Sequence, residues 1–369
     1  MKRKRCPFCG SVNTEKRGWR RVTVVLARGR RVRKYRRYKC RDCDKWLSAR
    51  KSTAGKRRYE PAVVVKAVRL YFDAEASYRA VARQLRIRPY QLFLWINELG
   101  ANCKSFEQVA AELTPDYCGY LLADGKAFHV KGEQQQLLLT ADSASQDIPC
   151  ADWAPEGYYD SWQDVMTRLR DGVHYPARGA VTDGDPALCK AIRNVFPGLP
   201  MQLCVRHLDA YHTYHFNYKF KGPTTGVEPF LDITHRMLYA TGPAHLSHLF
   251  KEYDCTREFL LASGLQREVR TFERKFPFIW THFDHPGLPR TTNIIEGIID
   301  QLKHKISDCH GFQHHHTAWN SLRLLIMRYR FHSFSCSRIS GHNGRSPLQL
   351  AGANTKGINW VKFSQKNAP

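Results

Sequence analysis

The sequence predicts a multidomain protein: a small β module at the amino end, a helix-turn-helix, then an α/β core interrupted by an α-helical insertion. Three observations predict it. Two CxxC knuckles, Cys6/Cys9 and Cys40/Cys43, flank a stretch of alternating β-type residues. The hydrophobic period then changes from two to about three and a half near Pro61. Strand-type runs return beyond Thr114-Pro115 and give way again to helical runs over residues 211–289. With 369 residues the chain has room for two or three domains and one sizeable core.

The first module spans residues 1–50. Between its knuckles run Arg21-Val-Thr-Val-Val-Leu26, then Gly29, then Val32 to Tyr38, the pattern of a hairpin. Zn²⁺ takes four soft ligands in a tetrahedron, and two CxxC turns joined by a hairpin supply them, so Cys6, Cys9, Cys40 and Cys43 are expected to hold one structural Zn²⁺ in a zinc ribbon. The metal replaces a core that some fifty residues cannot build. The net charge is +25, and residues 1–58 hold 23 Lys and Arg against 3 Asp and Glu, so +20 of it lies at this end. Such asymmetry points to a polyanion, most simply nucleic acid. Arg28, Arg30, Arg31, Arg33, Lys34, Arg36 and Arg37 on the hairpin suit phosphate contacts. No apolar run approaches the roughly 18 residues of a spanning helix, and no signal-peptide core follows the basic start. Eight of the twelve cysteines are scattered singly, which fits a reducing cytoplasm.

Residues 51–59 read as a basic linker, and residues 60–100 as a helix-turn-helix. Val64, Val68 and Tyr71/Phe72 make one apolar face, Tyr78, Val81, Ala82 and Leu85 a second, and Leu92, Phe93 and Ile96 a third. Arg86-Ile-Arg88 is the short break, and Pro89 suits the first turn of a helix. Three short helices can equally make a plain bundle. The basic module and Arg79, Arg83, Arg86 and Arg88 favour DNA reading, with Pro89 to Leu99 as recognition helix and Arg88 and Tyr90 at its contact end.

The core offers three separated acids. Asp124 follows the apolar run Tyr120-Leu-Leu-Ala and precedes Gly125, either as a carboxylate presented from a strand or as an Asp-Gly hairpin turn. Asp160 to Arg170 has helical spacing and can cross over to the next strand. Asp183 ends Ala180-Val-Thr182 before a glycine turn and Pro186; it either caps the following helix or points into a site at the carboxyl edge of the sheet. The strand order suits an RNase H-like sheet. Glu296 falls in the first turn of a helix opened by Thr292 and Asn293, with Lys303 seven residues later on the same face, placed for a phosphate. Three such carboxylates can hold a pair of Mg²⁺ or Mn²⁺ ions for in-line phosphoryl displacement; the plain alternative for Glu296 and Lys303 is a solvated helix face. Cys204 and His207, three residues apart, invite a second metal site with His212 and His215 nearby, but two ligands do not complete a tetrahedron, so a packing or hydrogen-bonding role is preferred.

Taken together, Asp124-Gly-Lys, Val181-Thr-Asp183-Gly, Cys204-Val-Arg-His207 and Thr291-Thr-Asn293-Ile-Ile-Glu296 resemble the Mutator-like DDE transposases and their bacterial insertion-sequence relatives, over about residues 117–335. The resemblance implies an RNase H-like catalytic core in two parts, 117–210 and 290–335, around the insertion. It makes Asp124, Asp183 and Glu296 the Mg²⁺ ligands of an endonuclease and strand transferase, and Cys204, His207 and Asn293 family signature residues. It also implies double-stranded DNA partners, namely terminal inverted repeats and target DNA, a homodimer or larger synaptic complex, and a bacterial cytoplasmic, nucleoid-associated location. A DNA-binding regulator with an inactive core, or an RNase H-like nuclease, are the competing functions. The tail, 336–369, is Gly-rich and expected to be irregular, with no chemistry assigned.

Overall fold

The computed structural model describes residues 5–26, 29–48, 59–155, 159–216, 226–307 and 312–366. Residues 51–58, read as a basic linker, and Arg28 lie outside them. The chain forms two compact units, Met1–Glu98 and Leu99–Pro369.

In the first unit β1 (Thr14–Leu26) and β2 (Gly29–Cys40) form an antiparallel hairpin, and β3 (Trp46–Ser48) pairs with the end of β2. The β1/β2 register slips between Lys16 and Trp19, where Gly18 takes a φ of 72°, the left-handed conformation that a bulge needs and glycine supplies. Three helices follow, α1 (Pro61–Phe72), α2 (Tyr78–Leu85) and α3 (Pro89–Ala101). Pro61 lies in the first turn of α1. The Ser77 hydroxyl caps α2 by accepting from Ala80 N at 3.2 Å, and Arg86 ends it in the left-handed region with a φ of 51°. The core of this trio is Val63, Ala67, Val68, Tyr71 and Phe72 from α1, Val81 and Ala82 from α2, and Leu92, Trp95 and Ile96 from α3. Two expected core positions are corrected: Val63 rather than Val64 is buried in α1, and Phe93 is exposed while Trp95 packs inward, its ring edge-on to Tyr59 at 4.9 Å. One helical step is all that separates the two faces, so apolar residues on both make the spacing ambiguous.

The second unit begins with α4 (Phe106–Leu113), opened by a Ser105/Gln108 capping box. Five strands follow, β4 (Tyr120–Val130), β5 (Glu133–Asp142), β6 (Ala151–Pro155), β7 (Gly179–Thr182) and β8 (Met201–Leu203), in the order β6-β5-β4-β7-β8. The first three form an antiparallel meander, whereas β7 and β8 run parallel to β4. Parallel pairing needs crossovers. The helix α5 (Tyr159–Thr167), continued by a π-helical turn at Arg168–Gly172, makes the first, and α6 (Pro186–Val195) makes the second. Helices α7 (Val205–Tyr214), α8 (Val227–Leu238), α9 (Pro243–Ala262), α10 (Gln266–Glu273), α11 (Phe276–Ile279) and α12 (Thr281–Asp284) follow β8 and bury Phe230, Tyr253, Phe272 and Trp280; α7 begins before residue 211. The chain then returns to the sheet with α13 (Asn293–Ser307), which packs on β4 and β5, and α14 (His315–Phe331).

The tail is largely turns and bends, as expected, with two short helices set into it. It forms α15 (Pro347–Leu350) and α16 (Trp360–Phe363), burying Leu348, Ala351 and Val361, and Ser346 and Gln349 make a capping box. Helices of four residues leave too little periodicity to be read in a Gly-rich segment.

Arg330 on α14 is fully buried and forks onto Asp147, Nε to Oδ1 at 2.9 Å and Nη2 to Oδ2 at 2.7 Å, while the Tyr117 hydroxyl donates to Asp147 Oδ2 at 2.9 Å. Breaking a buried pair leaves an uncompensated charge, so Arg330→Ala is expected to cost about 3–5 kcal/mol in chemical denaturation, and Arg330→Ala with Asp147→Ala less than the two single losses combined. Additive losses contradict the pairing.

Candidate metal and nucleic-acid sites

The amino-terminal knuckles bring four sulfurs together. The Sγ atoms of Cys6, Cys9, Cys40 and Cys43 lie within 4.8 Å of one another, with Cys6–Cys43 and Cys9–Cys40 both at 3.6 Å. A disulfide needs about 2.05 Å. A zinc tetrahedron with Zn–S near 2.3 Å has edges of about 3.8 Å, so the four thiols fit Zn²⁺. Turn bonds set this spacing: Gly10 N donates to Cys6 O at 2.9 Å, and Cys40 N to Lys45 O at 3.0 Å. Packing around the ligands is sparse, with Leu47 and Tyr38 beside them, which is why a metal is needed.

The basic residues divide into two groups. Arg31, Arg33 and Lys34 are exposed along β2. Arg36 and Arg37 instead lie over Trp19 and Trp46, at 4.9 and 4.1 Å from the ring centroids, and Arg30 donates to Arg86 O at 3.1 Å. On α3, Tyr90 is 64% exposed and stacks on Phe93 at 5.9 Å, next to exposed Leu94, and Arg88 is exposed just before the helix. Exposed aromatic and aliphatic side chains clustered on this helix, beside Arg88, form an interaction surface that a plain bundle would bury.

The sheet settles the local conformation of the two strand acids. Asp124 is not in a turn. It lies within β4 opposite Leu139, and the hairpin turns at Lys131-Gly132. Asp183 does not cap α6 either: Asp185 does so by accepting from Leu188 N at 2.8 Å, while Asp183 Oδ1 accepts from Asp185 N at 2.9 Å. Leu122 pairs with Val181 in the parallel β4/β7 ladder, so Asp124 and Asp183 stand at the same level two residues further on, on the same side of the sheet. Gly184, with a φ of 94°, turns the chain away immediately after.

Glu296 enters from α13. Thr292 is fully buried just before it, and its hydroxyl donates to Glu296 Oε1 at 2.9 Å and lies 3.2 Å from His207 Nδ1, while its N–H donates to Cys204 Sγ at 3.4 Å. Arg206 Nη1 donates to Asn293 Oδ1 at 2.7 Å and lies 4.0 Å from Glu296 Oε2. Thr292 and Arg206 are contacts that sequence reasoning missed as site residues; both sit inside the quoted motifs, but only the tertiary fold pairs segments about 88 residues apart. Lys303 is exposed on α13. His212 and His215 do not join the pair: His212 is buried between Phe230 and Phe272, which pushes its imidazole down to about 4, and His215 pairs with Glu268 at 3.2 Å.

The acids feel one another. Burial raises the Asp124 carboxyl to about 7; Asp183 and Glu296 add repulsion, and His207 opposes it. The bond from Cys204 raises His207 to about 9 against burial, with Glu296 and Asp124 adding to it. Burial pushes the Cys204 thiol up, but bonds from His207 and Thr292 outweigh it and hold it below its ordinary value. The consequence for Asp124 has a definite sign. The unfolded carboxyl loses its proton near 3.8 and the folded one near 7, so stability without metal falls as pH rises through that window. Asp124→Asn removes the penalty. Discounted by about half for partial exposure, it is expected to stabilise the metal-free protein by about 2 kcal/mol at pH 8 and by little near pH 4. Thermal unfolding at both pH values checks this, and a variant less stable at pH 8 contradicts it.

Residues 53–115 match the helix-turn-helix family model described as "Transposase", which covers α1 to α4. No curated protein sequence matches the chain. Among solved structures, a simian T-cell lymphotropic virus intasome in complex with the PP2A regulatory subunit B56 gamma is similar at 10% identity and a TM-score of 0.19, over 48% of this chain and 69% of that chain. An overlap of that quality carries no fold assignment. Among the described residues no helix is long and apolar enough to cross a membrane.

Proposed function

We propose that the chain is a DNA transposase of the insertion-sequence type, in which an RNase H-like core cleaves and joins phosphodiesters with an Asp124/Asp183/Glu296 triad. The observation that carries this is that Asp124 within β4 and Asp183 just past the end of β7 share one level of the sheet, and that Asp183 and Glu296, the latter in the first turn of α13, both act on the Asp124 carboxyl. The sheet order, with an antiparallel meander followed by two parallel strands, supports the RNase H-like reading. The helix-turn-helix match supports the DNA-binding half.

Mg²⁺ or Mn²⁺ held by the three carboxylates supplies charge neutralisation for an in-line displacement at phosphorus. The surrounding residues prepare the acids for it. Burial, with repulsion from Asp183 and Glu296 added to it, raises the Asp124 carboxyl, which a bound cation would offset, and Thr292 fixes one Glu296 oxygen. His207, charged at neutral pH, offsets the negative cluster. Lys303 on the exposed side of α13 is placed for a DNA phosphate. The zinc ribbon and helix-turn-helix hold terminal inverted repeats, and a homodimer or larger complex pairs two ends with target DNA.

The test is incubation of the chain and Mg²⁺ with duplexes carrying the DNA that flanks its gene. End-specific nicks followed by products joined to a second duplex are expected. Hydrolysis without joined products favours a repair or RNA nuclease, and binding without any cleavage favours a regulator; either overturns the reading.

A further inference from the structure

We propose that Cys204, His207 and Glu296 form a three-donor site for a zinc-class cation, separate from the four-cysteine site. The sequence offers only the first two donors; α13 brings the third. A sulfur, an imidazole nitrogen and a carboxylate oxygen from these residues all lie within 4.8 Å of one another. Around tetrahedral zinc, with Zn–S near 2.3 Å and Zn–N or Zn–O near 2.0–2.2 Å, donor atoms sit about 3.3–3.8 Å apart, so a contraction of about 1 Å closes the site. Three protein donors and an open fourth position form the layout of an exchangeable zinc. Thiolate and imidazole select such ions over Mg²⁺, which prefers oxygen ligands and octahedral geometry.

The donors are held before any ion arrives. Cys204 is buried at the start of α7, and Val205 N donates to Arg290 O at 3.2 Å, tying that start to the segment leading into α13. Thr292 supports all three: its hydroxyl reaches His207 Nδ1 and Glu296 Oε1, and its N–H reaches the sulfur. The Thr292 hydroxyl, 3.2 Å from Nδ1, orients the ring beside the other two donors. Binding releases to solvent the proton of the charged His207 ring and the proton of any Cys204 thiol, and forms metal–imidazole and metal–thiolate bonds. Because Glu296 also belongs to the proposed catalytic triad, zinc here withdraws it from the Mg²⁺ set and inhibits cleavage. That consequence rests on the transposase reading; the site itself rests on geometry.

The experiment adds Co²⁺ to the zinc-loaded full chain in Mg²⁺-free buffer and follows the near-ultraviolet thiolate-to-cobalt absorption, with elemental analysis of retained zinc. One saturable equivalent of Co²⁺ beyond the ribbon zinc is expected. The band should vanish in Cys204→Ser and in His207→Gln, which keeps a side chain of similar size, and Thr292→Val should weaken affinity about 10–100-fold with the thiol intact. No band in the unaltered chain, or an undiminished band in Cys204→Ser and His207→Gln, overturns the site. A chain inert toward DNA still binds Co²⁺ by this account, so failure here and failure of the transposase reading are distinguishable.

Discussion

Asp183→Asn and Glu296→Gln each lower Mg²⁺-dependent cleavage of end-containing DNA by about 10³–10⁵-fold while leaving DNA binding intact. That range is what a single charge-stabilising group contributes to phosphoryl transfer, where catalysis is almost wholly positioning and neutralisation. Neither carboxylate holds up the fold: Asp183 is half-buried at a strand end, with one oxygen on Asp185 N, and Glu296 sits on the rim of α13. Asparagine and glutamine keep the shapes and the acceptor oxygens, so the loss isolates the charge. Gel-shift affinity and cleavage rate measured on one preparation separate the two effects. Cleavage within tenfold of the unaltered chain by either variant removes that residue from the mechanism.

Cys40→Ser is expected to lose the ribbon's zinc altogether and with it the basic hairpin's grip on DNA. Structural zinc contributes an apparent ~10–16 kcal/mol in small domains, and among the described residues the apolar neighbours of the cysteines are Leu47 and Tyr38. Elemental analysis should fall by one zinc equivalent, the one the four cysteines hold. If three hairpin cations contact phosphates, the log–log salt slope of duplex binding should shrink by about 2.7. An unchanged zinc content, or an unchanged slope, contradicts the account of this module.

Much of this was legible locally. The two CxxC knuckles announced their own pairing, because a turn of fixed length sets each pair of sulfurs and β1/β2 brings the pairs together. The helix-turn-helix could be read from the break at Arg86-Ile-Arg88 and from Pro89, which have local causes, whereas the Ser77 cap emerged from the structure. Phe93 and Trp95 show the limit: the unbroken apolar run Leu92-Phe-Leu-Trp-Ile96 gives more than one candidate face, and tertiary packing chooses. Asp124 and Asp183 were ambiguous for a different reason. A carboxylate before glycine serves equally in a turn, a cap or a site, and only the parallel β4/β7 register puts the two side by side. The Thr292 bridge between Cys204, His207 and Glu296 had no sequence signal at all, since it depends on α7 and α13 meeting across the insertion.

The central claim is that Asp124, Asp183 and Glu296 hold one metal cluster. Fe²⁺ with ascorbate, used in place of Mg²⁺, generates hydroxyl radicals at the bound ion and cuts the polypeptide nearby. The account predicts fragments ending near residues 124, 183 and 296, all suppressed by excess Mg²⁺ and all lost together in Asp183→Asn. Cuts confined to the four-cysteine module, or cuts near these acids that excess Mg²⁺ leaves unchanged, would contradict it.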